Sequence, residues 1–305
     1  MLKYYMIKIT RKSIFLAFSL FWCAGGALAG ETCGCDIAPA QVQRYDAQLF
    51  AADPVAAEAV HAPYGIAVAE GPETRFTILA QLHWLTGYDS RRRMPLWVAY
   101  RLTAADVAAR RSRTQCFRPD PRLSADTGAT GCASYVGDGM DRGHMVASAD
   151  MTRSEQAMVN TYVFSNIAHQ YPGFNRTLWR DLESHVRALA RLRGKVYVMT
   201  GAVFDHDDDA RPDASGAAPL PDKSGQPGAA IASHFYKVVI VPGHGAEPPE
   251  IRAWLFRHEN IRTTRSQSKQ IIANSEVPLA VIEQLGGLDI APLLNGIRSA
   301  EVSVD

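Results

Sequence analysis

The chain has 305 residues, 47% hydrophobic and 21% charged, with 32 Lys and Arg against 31 Asp and Glu. This length and composition suffice for a full hydrophobic core, which excludes wholesale disorder. The formal net charge of +1 supplies no strong overall field, so attraction of a polyanion would require a local basic patch or a bound cation.

The first 29 residues have the pattern of a signal peptide. Four basic residues precede the apolar run 14–22, and Ala27-Leu28-Ala29 supplies a small-residue cleavage pattern. The run is too short to span a bilayer comfortably. The sequence therefore predicts export to the periplasm or the medium, with a mature chain starting near Gly30 or Glu31 and no stable membrane association; an uncleaved anchor is the alternative. Processing leaves 32 − 4 = 28 basic against 31 acidic residues, a net charge of −3.

Four cysteines remain after this segment, at positions 33, 35, 116 and 132. An even number in an exported chain predicts disulfides. Cys33 and Cys35 lie too close along the chain to pair easily with each other. Two alternatives stay open: they attach the N-terminal segment to the body, or Cys116 pairs with Cys132.

Hydrophobic periodicity predicts an α+β fold with a mixed or antiparallel β-sheet core and helices. We divide the chain into a signal peptide (1–29), an N-terminal extension (30–75) and one domain (76–305). The acidic loop after residue 204 lacks the spacing of a calcium loop and is interpreted as a solvated connection. The predicted strands are 76–88, 96–103, 195–204, 234–241 and 251–256; the predicted helices are 54–60, 153–160 opened by a Thr152–Glu155 capping box, 175–192 ended by Gly194, and 277–285 capped by Asn274 or Ser275.

A polar cluster between a predicted strand and a predicted helix indicates a catalytic site. Asp141-Arg142-Gly143-His144 places an imidazole, a guanidinium and a carboxylate around one glycine. An imidazole titrates near neutral pH and can take a proton from water. Asn175, at the start of the next helix, offers an amide oxygen to a hard cation such as Mg²⁺; its structural alternative is a helix cap. Glu183 follows two turns later, where an ion pair with Arg187 is the structural alternative.

Five arginines between residues 104 and 138 lead into this segment, at positions 110, 111, 113, 118 and 122. Such a run is commonly a solvated surface. Its position directly before the polar cluster favours phosphate contact instead.

Together, Asp141-Arg142-Gly143-His144, Ser165-Asn166-Ile167 and the helix bearing Asn175, Trp179 and Glu183 resemble the DNA/RNA non-specific endonucleases. The resemblance runs from about residue 82 to 294 and implies a ββα-metal motif. It implies an endonuclease that hydrolyses DNA and RNA phosphodiesters with one hydrated Mg²⁺, or with Mn²⁺ or another divalent cation. A homodimer and a protein inhibitor are compatible with it, and no motif decides either.

The resemblance also implies roles for individual residues. His144 would be the water-activating base, Asn175 the metal ligand and Glu183 the support of the metal's water shell. Asn166 would line the site, and Arg113 would hold the phosphate, with Arg111 as a near alternative. In addition, Arg142 is expected to orient the scissile phosphate or to buttress the loop.

Two positions depart from the family pattern. The family commonly has Ala-Pro where this chain has Val146-Ala147, and Pro where it has His169; both departures put substrate preference in doubt. Two other functions are weighed against the nuclease: a catalytically idle protein that binds extracellular DNA, and a phosphodiesterase acting on other diesters. The complete His144, Asn175 and Glu183 set argues against the first, and the lack of a two-metal His/Asp cluster argues against the second.

Overall fold

The computed structural model describes residues 32–71, 74–135, 137, 139–213, 225, 227–245 and 247–294, so the predicted signal peptide lies outside the described residues. The strands are β1 Val68–Ala69, β2 Thr77–Ala80, β3 Leu85–Asp89, β4 Met94–Thr103, β5 Asp141–His144, β6 Ile167–Gln170, β7 Lys195–Val203, β8 His234–Val241, β9 Glu250–Arg257 and β10 Leu288–Asp289. The helices are α1 Pro39–Ala47, α2 Pro54–His61, α3 Ala104–Ala108, α4 Glu155–Asn160, α5 Arg180–Arg193, α6 Arg265–Asn274 and α7 Leu279–Gly286.

A six-stranded antiparallel sheet with the order β2-β3-β4-β7-β8-β9 forms the centre of the molecule. Every residue of β8 is buried. Helix α5 packs against β4 and β7, and α7 packs against β7 and β9. The predicted α+β class with an antiparallel sheet is confirmed.

A two-stranded antiparallel sheet and the helix after it form the ββα arrangement. Strands β5 and β6 pair so that His144 lies opposite Ile167. The chain then enters a π-helical turn, Phe174–Trp179, which continues into α5. The apolar stripe of α5 faces the core, and Gly194 ends the helix at φ +79°, a conformation that glycine adopts without steric cost. The helix predicted over 175–192 is confirmed, except that its first residues form the wider π-helical turn.

Two predicted boundaries in the first half of the chain were wrong. The run 76–88 is not one strand but the hairpin β2–β3, because the chain turns where Gln81 N donates to Trp84 O at 2.9 Å. Helix α4 is capped by Ser154, whose hydroxyl accepts from Ala157 N at 3.0 Å. The predicted cap, Thr152, instead donates to Ala109 O at 2.7 Å.

The last helix, α7, begins directly after Pro278 and has no side-chain cap. Asn274 is the last residue of α6 and Ser275 follows it, so neither residue caps α7 as predicted. Periodicity did not predict α6 or α1. Both helices lie on the surface and bury few side chains, so their apolar stripes are too narrow to stand out in the sequence.

The N-terminal extension is tied to the body by both disulfides, Cys33–Cys132 and Cys35–Cys116. This confirms the first of the two cysteine alternatives, and the Cys116–Cys132 pairing was wrong. Helix α1 also packs on α4, and β1 pairs with β10. The extension therefore shares a body with the domain that follows it. Among the described residues, no helix has both the length and the apolar character needed to cross a membrane.

Candidate active site

His144 occupies the last position of β5, where two aromatic rings enclose its imidazole. The Tyr162 ring stands edge-on with its centroid 4.6 Å away, and the Phe117 centroid lies at 5.9 Å. Nε2 is buried and has no hydrogen-bond partner among the described residues. Burial, reinforced by the nearby charge of Arg113, lowers the pKa of His144 to about 3. The imidazole is therefore neutral at physiological pH and retains the lone pair that a general base needs.

The carboxamide of Asn175 is oriented by Asp141. Asn175 Nδ2 donates to Asp141 Oδ2 at 2.9 Å, and Arg176 Nε donates to the same oxygen at 2.8 Å. Burial opposes ionisation of Asp141, yet the hydrogen bonds from Arg176 and Asn175 hold its pKa below the usual value. A carboxylate can only accept, so the amide nitrogen must face Asp141. The amide oxygen accepts no hydrogen bond from the described residues, which leaves it available to a cation.

Gly143 is required by the close approach of β5 to the side chain of Gln170. A Cβ at this position would clash with Gln170 Oε1 and would lie 2.5 Å from Gln170 Cγ. Gln170 is fully buried, so it has little room to move aside. The glycine of the Asp-Arg-Gly-His segment therefore allows the strand that carries His144 to pack tightly.

We expect Gly143→Ala to lower the free energy of unfolding by about 1–3 kcal/mol, the usual effect of overpacking a buried site. Urea titration followed by circular dichroism measures this loss. Gly286→Ala is the matched control, because the added methyl there meets its nearest neighbour, Leu288 Cδ1, at 3.5 Å, an ordinary contact. A Gly143→Ala protein as stable as the unsubstituted chain would contradict this packing argument.

Glu183 lies in a network of buried charges under the site. Burial raises the pKa of Glu183 to about 7, against the opposing field of Lys237. Lys237, itself buried, donates to the hydroxyl of Thr200 and lies 4.9 Å from the Trp179 ring centroid. Burial lowers the pKa of Lys237 to about 8. A carboxyl with a pKa near neutrality can exchange a proton or gain charge as a cation approaches.

The other half of this network fixes Arg187. Its Nη1 donates to Asp150 Oδ1 at 2.7 Å, and Tyr100 donates to the second oxygen of that carboxylate at 2.6 Å. The partner of Arg187 is thus Asp150, rather than the Glu183 partner considered from the sequence. This leaves the Glu183 carboxylate without a direct hydrogen-bonded ion pair among the described residues.

The raised pKa of Glu183 predicts a pH-dependent stability in the metal-free protein. The folded-state pKa of about 7 exceeds the ordinary pKa of 4.5, so the folded state holds this proton more tightly. Stability is lost as pH rises between these two values. We expect Glu183→Gln to raise the unfolding free energy at pH 8 by up to about 3 kcal/mol, and much less at pH 5. Thermal melts in chelator at both pH values test this, and equal effects at both would contradict it.

The two arginines that the sequence left as alternatives have different surroundings in the structure. Arg113 Nε donates to the hydroxyl of Tyr162 at 2.7 Å, and Tyr162 packs on His144. Arg111 is exposed and lines a neighbouring cleft. Arg113 is therefore the arginine beside the imidazole. On the other side, Arg142 Nη1 donates to Cys33 O at 3.1 Å, which ties the site strand to the disulfide-linked extension.

Asn166 lies behind the site with its side chain fully engaged by backbone groups. Its Oδ1 accepts from Val146 N at 2.9 Å, and its Nδ2 donates to Val146 O at 3.1 Å and Thr161 O at 2.8 Å. The side chain is fully buried. This geometry holds the chain immediately after His144 in place, and so it fits a positioning residue better than a group that touches substrate.

The positions that depart from the family pattern are also interior. Val146 and Ala147 are buried, and His169 is buried with its ring centroid 4.7 Å from that of Tyr135. Changes at these positions alter packing beneath the site strands rather than the exposed wall of the groove.

The donor set fits a magnesium ion that retains most of its waters. Asn175 provides one oriented amide oxygen, and Glu183 provides a carboxyl eight residues later, in the helix that continues from this turn. Within the described part of the chain, three carboxylates that could share a metal come together at Asp205, Asp207 and Asp209, and none of these belongs to the site. A single protein ligand with a supporting carboxylate suits Mg²⁺, which gives up its water reluctantly.

Sequence reasoning missed the residues that support this site. Tyr162 packs on His144, Asp141 orients Asn175, and Asp150 fixes Arg187. Lys237 had one usable signal: it is the lone charged residue within the apolar run of β8. The others gave no local signal, because their partners are distant in sequence.

Comparisons with known proteins cover most of this chain. The family described as DNA/RNA non-specific endonuclease matches residues 71–296. Human mitochondrial endonuclease G is 33% identical over 207 residues, covering 67% of this chain and 66% of that protein. Nuclease C1 of Cunninghamella echinulata var. echinulata is 30% identical over 222 residues, covering 71% of this chain and 83% of that protein. The chain thus spans just under two thirds of the human relative.

A solved structure shares the fold. The crystal structure of the EndoG/EndoGI complex, which concerns the mechanism of EndoG inhibition, superposes with a TM-score of 0.61 at 25% identity. The match covers 81% of this chain and 95% of that chain.

Proposed function

The chain belongs to the DNA/RNA non-specific endonuclease family, and from this premise we propose an exported, magnesium-dependent enzyme that hydrolyses DNA and RNA phosphodiesters with little sequence preference. The family match confirms the predicted enzyme class, an endonuclease. One observation carries the proposal: a neutral, enclosed imidazole at His144 and an oriented amide oxygen at Asn175 lie on adjoining elements of one ββα unit.

His144 would accept the proton of the attacking water while the water oxygen bonds to phosphorus and the bond from phosphorus to the leaving oxygen breaks. Burial lowers its pKa, so the imidazole is unprotonated at neutral pH and its lone pair is free for this proton. Arg113 would face the phosphate from the Tyr162 side of the imidazole, and Arg142 would support the strand and the phosphate from the other side. Asn166 would keep His144 in position through its hydrogen bonds to the backbone of Val146.

Asn175 would hold the divalent cation, with Asp141 fixing its amide. Glu183 would accept hydrogen bonds from the cation's waters, and the nearby Lys237 and Arg187 would moderate its charge. When bound, Mg²⁺ would stabilise the charge that develops on the phosphate and on the leaving oxygen. Contacts restricted to phosphate carry no base information, which supports low sequence preference.

Incubation of residues 31–305 with supercoiled plasmid and with RNA tests the proposed function. We expect cleavage of both with Mg²⁺, and none with chelator. The idle DNA-binding alternative predicts retention of plasmid without turnover, and the other-phosphodiesterase alternative predicts hydrolysis of small diesters only. Either result would reject the nuclease.

Export to the periplasm or the medium is supported by the signal-peptide pattern and by two disulfides, which persist in oxidising compartments. Several relatives are named as mitochondrial. We expect expression of the full chain in a Gram-negative host to yield a mature protein starting near Gly30 or Glu31, with four oxidised cysteines. Mass spectrometry of the fractionated cells measures both, and an unprocessed, reduced cytoplasmic product would contradict export.

The proposed partners are nucleic-acid substrates, a second copy of the chain and a protein inhibitor. The similarity to EndoG in the EndoG/EndoGI complex supports the inhibitor. Sedimentation of the purified chain tests the homodimer.

A further inference from the structure

A cleft adjoins the active site on the side of the arginine-rich segment. Its volume is 510 Å³, and it is open to solvent. The loop after α3, the segment after β5 and the outer side of α5 form its walls. Four arginines line it, and its lining contains no Asp or Glu; we name it the arginine cleft, with Arg110, Arg111, Arg187 and Arg191 as its cations.

Three of these cations have no carboxylate partner among the described residues. Arg110 and Arg111 are exposed. Arg191 is also exposed, and its one hydrogen bond is a 3.5 Å contact to the carbonyl of Val107. Like charges close together without counter-ions repel one another, so a bound polyanion would relieve that repulsion. A planar guanidinium group can also donate two parallel hydrogen bonds to the oxygens of one phosphate.

Arg187 connects the cleft to the active site. Its side chain is 13% exposed, and Asp150 holds it in place at 2.7 Å. It lies one helical turn beyond Glu183, whose pKa responds to its charge. At the opposite wall, Arg111 stands two residues before Arg113, which contacts Tyr162 beside His144. Both walls of the arginine cleft therefore lead directly to residues of the active site.

We propose that the arginine cleft binds the phosphodiester backbone of the substrate strand beside the scissile bond. This inference rests on the proposed function. The cleft would supply local attraction for the substrate, which the overall net charge of −3 expected for the mature chain does not. Because the contacts go to phosphate, they add affinity for strands longer than one diester without reading the bases.

A second basic cleft, between α5 and α6, provides a contrast. Its volume is 710 Å³. Two of its cations are paired within the cleft: Arg252 donates twice to Glu276, and Arg180 lies 3.5 Å from Asp181. Arg265 and Lys269 remain as exposed cations on one side. Because carboxylates in this cleft neutralise two of its cations, we expect it to bind a polyanion more weakly than the arginine cleft. Replacing Arg265 and Lys269 removes two positive charges, the same change in charge as the test variant.

The test compares R110Q/R191Q with R265Q/K269Q. Arg111 stays intact because of its nearness to Arg113. We expect R110Q/R191Q to raise the KM for plasmid about tenfold near physiological salt, and to flatten the slope of log kcat/KM against log salt by about 2. The ratio of plasmid to bis(p-nitrophenyl) phosphate hydrolysis should fall by a similar factor, since the small diester has no neighbouring phosphate. R265Q/K269Q should change these quantities less than about twofold.

Two outcomes would overturn the proposal: an unchanged salt slope in R110Q/R191Q, or an equal loss in R265Q/K269Q, which would indicate only a general field effect. Thermal melts of both variants separate misfolding from lost binding. If the unsubstituted chain fails to cut plasmid with Mg²⁺, the proposed function fails by itself. Anisotropy of a labelled single-stranded oligonucleotide, without metal, then tests the cleft independently, and affinity unaffected by R110Q/R191Q would reject it.

Discussion

His144→Ala is expected to cut plasmid at least about 1,000-fold more slowly than the unsubstituted chain while remaining folded, because removal of a general base costs up to about 10⁴ in rate. The ring is partly enclosed by Tyr162 and Phe117, so a small loss of stability accompanies the change. Initial rates of supercoil loss at saturating Mg²⁺ measure the effect.

His185→Ala is the matched control for this variant. His185 lies on α5, is half-buried and lines the cleft toward α6, so its removal should leave the rate within about twofold, since its side chain faces a different cleft from His144. The pH profile adds a second check. Since the pKa of His144 is lowered to about 3, its own protonation should cause no loss of rate between about pH 5 and 8, and any loss in that range is assigned to Glu183, whose pKa is about 7. Full activity of His144→Ala would remove this mechanism.

Asn175→Ala is expected to lower kcat/KM by more than about 100-fold, the upper range for groups that only support a metal ligand. The variant removes the proposed cation's oxygen ligand and also releases Asp141 from one of its hydrogen bonds. Rates measured over a range of Mg²⁺ concentrations, together with Mn²⁺ binding by calorimetry, measure both losses. Weaker Mn²⁺ binding is the result that distinguishes a metal ligand from a residue that only supports Asp141.

Asn274→Ala provides the comparison for Asn175→Ala. Asn274 is exposed at the end of α6, and its substitution should leave rate and Mn²⁺ affinity unchanged. An Asn175→Ala protein that bound Mn²⁺ as tightly as the unsubstituted chain would exclude Asn175 as the ligand, whatever its rate.

The local sequence determined the elements whose apolar faces are wide. Strands β7 to β9 and helix α5 were predicted within a few residues, because each buries a continuous run or stripe of apolar side chains. It also determined the helix that begins around Asn175, whereas β5, which bears His144, was expected only from the resemblance to the family. The surface helices α1 and α6 were missed, because narrow apolar faces leave little periodic signal.

Only the tertiary structure decided how the site residues are supported. The sequence contained Asp141 and Asn175 but not the hydrogen bond between them, which spans 34 positions. It contained Lys237 in a strand and Glu183 in a helix, without showing that burial moves their two pKa values toward neutrality. Likewise, the position of Arg113 beside Tyr162 and the pairing of the cysteines depended on which loops meet. Periodicity reports the burial of one element, whereas orientation and electrostatic environment depend on contacts between distant elements.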